Sequence, residues 1–311
     1  MNDVRTSVSQ CYSCCMSSFI KGSACLLFSA LMFGAWGILS RYLGQSFDLF
    51  FQFWTRYLFV ALVLCFVLVF QRSWKTVQNE HKHLFVIRVV SALLTSLCIY
   101  LAFNAIPIGT AYFASYAGTI LGGFLIGSFF FNEKINALKI AAVALSVVGL
   151  YIIYSFSFAT SQIFYLFLAL SSGVSYSIFY SCSKTISKRY SIIQMTFIDY
   201  AGCFILTLIL SFLLHEHWSP VALTFSWLIN LIAAVTFALT NMLLIYGFKR
   251  VGVQVGTTIL LTEVVFGILF AYFFFDEAIS TNMLIGGGMI LLASGLVVVS
   301  PHRLEFRSAK R

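Results

Sequence analysis

The sequence predicts an all-α integral membrane protein with ten transmembrane helices arranged as two inverted five-helix repeats. Three observations carry this prediction. The chain has 311 residues, 60% apolar and 9% charged, whereas a water-facing globular surface needs about 25% charged residues. The apolar residues fall in runs of roughly 20, the length a helix needs to cross about 30 Å of hydrocarbon. These runs are continuous rather than alternating, which excludes a barrel. Finally, a segment at the end of the fourth run recurs at the end of the ninth.

The predicted spans are 22–43, 49–70, 84–103, 109–131, 137–154, 162–182, 192–214, 225–248, 252–275 and 282–300. A tail over 1–21 precedes them and a basic tail over 301–311 follows, so the two repeats occupy 22–154 and 162–300. The first run, Gly22 to Leu43, is too long for the apolar region of a cleavable signal, and no soluble domain follows it. Pro107 and Pro220 fall in connections, where a residue without an amide proton belongs, and Pro301 is expected to end the last span.

The net charge of +9 suggests nucleic acid until the charges are placed between spans. With the N-terminus inside, 17 of the 19 basic residues fall in cytoplasmic segments. Arg88 is counted there, at the edge of the third span. Arg41 alone sits at an outer end, and Arg56 lies inside span two. Such a bias orients a membrane protein, so both termini are expected in the cytoplasm and the protein in the inner (plasma) membrane. Five of the cysteines lie in apolar runs as small hydrophobes. Cys11, Cys14 and Cys15 cluster in a tail expected to be loose. No metal and no cofactor is expected, since a metal site needs about four ligands and no histidine sits near the three.

The recurring segment reads Phe129-Phe130-Phe131-Asn132-Glu133-Lys134-Ile135 and again Phe273-Phe274-Phe275-Asp276-Glu277-Ala278-Ile279, 144 residues apart. Ala30-Leu31-Met32-Phe33-Gly34 pairs loosely with Ala169-Leu170-Ser171-Ser172-Gly173. An odd number of spans per repeat makes the halves enter the membrane from opposite sides, the usual construction of secondary transporters.

These residues bring the chain to a family. The two repeats, Gly34-Ala35-Trp36-Gly37 in helix one, Trp54-Thr55-Arg56-Tyr57 in helix two, and the acids after helices four and nine resemble the EamA family of the drug/metabolite transporter superfamily, from about residue 22 to 300. The resemblance implies a central cavity lined mainly by helices one, three, four, six, eight and nine, with two and seven more peripheral. Family members often carry Glu-Pro within helix nine. Here Val264 follows Glu263, so no proline kink is expected, and helix four has Thr119 at the equivalent position.

Ionisable groups within the bilayer cost about 2.5–3.5 kcal/mol on insertion scales and are therefore the leading candidates. Glu263 lies about 16 Å into span nine, near the midplane, where it would bind a cation or carry a proton; otherwise it is a hydrogen-bonded structural acid. Arg56 would clamp a substrate carboxylate or phosphate, or snorkel to the outer surface. Asp199 falls one position from Arg56 when Gln52 is aligned with Gln194, and a structural role is expected for it. Tyr112, Tyr116 and Thr119 share one face of helix four. Trp36, Tyr100, Tyr176 and Asn241 complete the candidates, since rings with polar tips suit an amphipathic or cationic ligand. Asn132 or Asp276 is expected to cap the following helix. Gly122, Gly123, Gly127, Gly286, Gly287, Gly288 and Gly295 are expected to let helices approach closely.

The expected function is secondary transport of a small organic metabolite, amino-acid-like or zwitterionic. S-adenosylmethionine fits, and some relatives carry it; export of cationic drugs is the alternative. An intramembrane lipid enzyme would need polar clusters near an interface, yet all five histidines lie in loops or the tail, and His215-Glu216-His217 is no His-Glu-x-x-His motif. No phosphate-binding loop and no ion filter is present. The partners expected are a small-molecule solute and the lipid bilayer, with no nucleic acid; a homodimer is an open alternative. A cytoplasm-dependent fluorescent reporter fused after Arg311 is expected to be bright, and one inserted at His217 dark. The reverse pattern would invert the topology.

Overall fold

The computed structural model describes residues 2–35, 39, 42–44, 46–103, 105–106, 108–154, 162–221, 224–276 and 278–308, with the side chains of 2–15, 100, 103, 108–109, 275 and 299–308 excepted. Its helices are α1 (Asn2–Gly34), α2 (Leu49–Phe70), α3 (Asn79–Phe103), α4 (Ile108–Phe131), α5 (Ala137–Tyr154), α6 (Ile163–Ile186), α7 (Ile192–Leu213), α8 (Phe225–Phe248), α9 (Val253–Leu260), α10 (Thr262–Phe275) and α11 (Thr281–Ser308). Among the described residues, ten segments are long and apolar enough to cross a membrane: one from each of α1 to α8, α9 with α10 as the ninth, and Thr281–Val298 as the tenth.

Several boundaries differ from expectation. Residues 2–21 are helical rather than loose, and span one is Met16–Gly34. No glycine or proline interrupts the tail before Gly22, so an already nucleated helix propagates through it. Helix α3 starts at Asn79 and carries Arg88 within its membrane span, so Arg88 is not a loop charge. Pro301 ends the apolar stretch but not α11.

The repeat is visible in the backbone. α2 and α7 each span 22 residues and end alike, with Arg72 and His215 at φ 48° and 53°. Asn132 and Asp276, at φ 51° and 53°, end the fourth and ninth spans in the same left-handed conformation. Asparagine and aspartate tolerate that region, so here they stop the preceding helix. The following helices are capped instead by Asn136, whose Oδ1 accepts from the Lys139 amide at 2.8 Å, and Ser280, whose Oγ accepts from the Met283 amide at 3.2 Å. The common helix ends pair Arg56 with Asp199 and Gln52 with Met195, which corrects the Gln52–Gln194 alignment by one residue.

Packing follows the same symmetry. α2 packs on α7 and α5 on α11, each across the two halves. α6 is held by α3 and α4 as α1 is held by α8, α9 and α10. Glycines set the closest approaches: a side chain at Gly173 would meet the Ser115 carbonyl, and one at Gly149 the Gly286 carbonyl. Gly288 and Gly295 have open space instead, so they are not packing positions.

Span nine breaks at Leu261 without a proline. Thr257, Thr258 and Thr262 each turn a hydroxyl back onto a carbonyl three or four residues earlier, a pattern that bends helices. Ser294 donates to the Thr258 carbonyl at 3.1 Å, and the ladder tightens to i→i−3 bonds at Leu261 and Val264. The break places Glu263 in the first turn of α10.

Gly173→Ala is expected to destabilise the fold by about 1–3 kcal/mol through overpacking against backbone. Gly295→Ala should be neutral. Thermal unfolding in detergent compares them, and equal effects would contradict the packing described.

Candidate functional site

A cavity of about 170 Å³ lies among α1, α2, α3, α6, α7 and α8, with Tyr57, Tyr176, Asp199, Tyr200, Phe237 and Asn241 in its wall. Helices two and seven therefore line it, against the expectation that they stand outside. α2 and α7 pack against each other, and Tyr57 of the one and Asp199 and Tyr200 of the other face the cavity.

Asp199 is held by Arg88, which the sequence places at the cytoplasmic edge of the third span. Arg88, fully buried, donates from Nε and Nη2 to the two Asp199 oxygens, each at 2.7 Å. It also bonds the Phe179 carbonyl at 3.3 Å and Ser183 Oγ, and its guanidinium stacks 4.1 Å from the Phe179 ring. Asn241 donates to Asp199 Oδ2 at 3.0 Å. Two parallel charge-assisted bonds make this a strong pair. The signal for Arg88 was available in the continuous helical run before it, but its place near a cluster of basic and polar residues hid it.

Arg56 is 1% exposed, so it does not snorkel to the surface. Its Nε donates to Asn230 Oδ1 at 3.3 Å and its Nη2 to Gln52 Oε1 at 3.2 Å, and it lies between the Phe53 and Phe237 rings. Asn230 in turn donates to Thr55 Oγ1 at 2.9 Å. The two arginines mark the same contact in both halves. Span two meets span eight through Arg56 and Asn230, and span seven meets span three through Asp199 and Arg88.

Glu263 sits apart from these charges. Tyr116 lies beside its carboxylate, and Tyr112, Tyr154, Tyr176 and Tyr180 lie within electrostatic reach. Tyr112 stacks on Tyr116 at 5.8 Å and on Tyr154 at 6.3 Å, while the rings of Tyr176 and Tyr180 contact at 4.2 Å. Glu263, Tyr112, Tyr116, Tyr154 and Tyr176 are only partly covered despite their depth. Among the described residues no basic side chain pairs with Glu263. The positive end of the α10 dipole lies at its carboxylate.

The remaining candidates divide. Tyr176 belongs both to the cavity wall and to the group around Glu263. Asn241 lines the cavity. Thr119 meets α6 through its backbone carbonyl, which accepts from Ser177 Oγ at 2.7 Å, and its hydroxyl donates to the Ser115 carbonyl of its own helix at 3.0 Å. Trp36 and the Tyr100 side chain lie outside the described residues. Tyr154 and Tyr180 were missed; both are recognisable only once α5 and α6 are set beside span nine. Glu216 is engaged structurally, accepting from the Phe50 and Phe51 amides at 2.9 and 2.7 Å at the start of α2. Among the described residues, no group of three or more His, Cys, Asp or Glu side chains is placed to hold a metal ion.

Comparison with known proteins gives a consistent picture. The profile of the EamA-like transporter family matches residues 20–155 and again 163–299. An uncharacterized transporter of Archaeoglobus fulgidus is 31% identical over 160 residues, covering 51% of this chain and 56% of its own length. The chain thus spans little more than half of that relative. The uncharacterized transporter YojE of Bacillus subtilis is 28% identical over 244 residues, covering 74% of this chain and 79% of its own. A solved crystal structure shares the fold with a TM-score of 0.75 at 15% identity, over 89% of this chain and 98% of that one.

Removing one partner of a buried ion pair costs about 3–5 kcal/mol, because the other charge is left uncompensated. Arg88→Met and Asp199→Asn are each expected to lose about that much stability, and the double variant to recover most of it. Additive losses in thermal or denaturant unfolding would contradict the pairing.

Proposed function

The chain belongs to the EamA-like transporter family, and from that premise we propose that it moves a small organic solute bearing a positive charge by alternating access, with Glu263 as the carboxylate that takes the cation. One observation carries the choice: Glu263 is mid-span, partly accessible, ringed by tyrosines and without a basic partner among the described residues. A cation over aromatic faces gains about 0.5–2 kcal/mol per contact, and a carboxylate supplies the countercharge that hydrocarbon cannot. When the solute leaves, a proton is the smallest replacement that keeps the site neutral, and exchange of solute for proton is the coupling this reading takes.

The alternating motion is supported by the repeats. Discontinuous spans with a polar residue at the break, close to the membrane midplane, are the usual binding element of inverted-repeat transporters. The Leu261 break with Glu263 beside it has that form. We place the protein in the inner membrane with both termini cytoplasmic. Leaving Arg88 out of the cytoplasmic count keeps the charge bias of the connections in the same direction.

An amino-acid-like zwitterion, S-adenosylmethionine included, is the second reading. Asp199 and Asn241 in the cavity wall favour a polar solute. A substrate carboxylate, however, would need Arg56 or Arg88 to leave the partners that hold them. The two readings separate in proteoliposomes loaded with a labelled panel of organic cations and zwitterions. Counterflow of cations is expected, at least tenfold weaker in Glu263→Gln at unchanged insertion. Normal, still pH-dependent counterflow in that variant would remove Glu263 from the mechanism.

A further inference from the structure

Glu133 lies just beyond span four, and nothing in the transport reading uses it. Its carboxylate accepts from the Val253 amide at 2.7 Å and the Gln254 amide at 3.1 Å, the first free N–H groups of α9. Lys184, at the end of α6, reaches the same carboxylate at 2.6 Å and rests over the Phe131 ring at 4.8 Å. Lys139, at the start of α5, donates to Gln254 Oε1 at 2.7 Å. An anion at a helix N-terminus meets both the unpaired amides and the positive dipole end. One side chain of the first repeat therefore caps a helix of the second repeat, and a lysine that opens no such contact of its own reinforces the bond.

The helix it caps is unusual. α9 is eight residues long, all of them buried, and is separated from α10 by the Leu261 break. Its Val255 and Ile259 join Leu26, Tyr180, Leu244 and Phe248 in an apolar plug. Tyr180 and Phe248 stack in it at 4.7 Å. Tyr176, Phe179 and Leu244 of the cavity wall adjoin this plug. α9 begins at the end of the bundle that carries Lys134, Lys184, Lys249 and Arg250.

We propose that α9 is a gate arm hinged at Leu261, and that Glu133, braced by Lys184, is the latch that holds it shut at the basic end of the bundle. Opening the latch requires only that α9 draw away from the end of span four. The two repeats must separate there for the cavity to open on that side. The hinge lies two residues from Glu263, so occupation of that carboxyl acts on the arm at its pivot. Gly252 is part of the device. Its φ is −64°, which any residue adopts, but a β-carbon there would fall 2.8 Å from the Glu133 carboxylate.

The test is hydrogen–deuterium exchange of the full chain in lipid nanodiscs, read by mass spectrometry over residues 253–260 and 264–275. Glu133→Ala removes the latch, while Gly252→Ala keeps the carboxylate and pushes it off the amides. Both are expected to speed exchange in 253–260 at least tenfold while 264–275 keeps its rate. Unchanged exchange of 253–260 in either variant would overturn the proposal. So would acceleration throughout the spans, which would make Glu133 a determinant of the whole fold. The readout involves no solute and no change at Glu263, so its failure is distinguishable from failure of the transport assignment.

Discussion

Arg88 grips both oxygens of Asp199 at 2.7 Å in the middle of the bundle, and much else depends on that grip. A charge in hydrocarbon has no water to solvate it, so it must find its partner within the protein. Arg88 and Asp199 satisfy one another and bring spans three, six and seven together through Phe179 and Ser183. The symmetry-related contact, Arg56 with Asn230, ties span two to span eight with an amide in place of the acid. The same joint is thus built twice, with different chemistry on each side of the repeat.

Against this background Glu263 is the exception. It is as deep as the others, yet a tyrosine hydroxyl rather than a guanidinium meets it. The proposal of a positively charged solute rests on this difference between Glu263 and the Arg88–Asp199 pair. The helix break beside it, made by threonines and by Ser294 rather than by proline, couples that acid to a short helix able to move without unwinding the rest of the span.

The architecture was legible because the bilayer imposes it. Span length, continuous apolarity and the Phe-Phe-Phe-(Asn/Asp)-Glu-x-Ile recurrence each report a strong constraint, and the two left-handed residues at Asn132 and Asp276 show that the recurrence extends to backbone conformation. Glu263 was legible for the same reason, since a midplane carboxylate is conspicuous in sequence. What the sequence hid was partnership. Arg88 looked like an interfacial charge because the polar residues 78–83 precede it, and only the packing of α3 on α6 and α7 shows that its side chain turns inward. The partner of Glu133 was hidden as well, because it lies 120 residues ahead, at the Val253 amide. The absence of Glu-Pro suggested an unbroken span nine; the break comes instead with back-bonding threonines, and Ser294 takes the Thr258 carbonyl.

The central claim is that the Glu263 carboxyl exchanges its proton for a positively charged solute. Difference infrared spectroscopy of the purified protein addresses it directly, with tetraphenylphosphonium and smaller quaternary ammonium ions as probes. The account predicts that a protonated-carboxyl band disappears and a carboxylate band appears on cation binding, and that neither change occurs in Glu263→Gln. Cation binding with no change in either band, or the same change in Glu263→Gln, would contradict it.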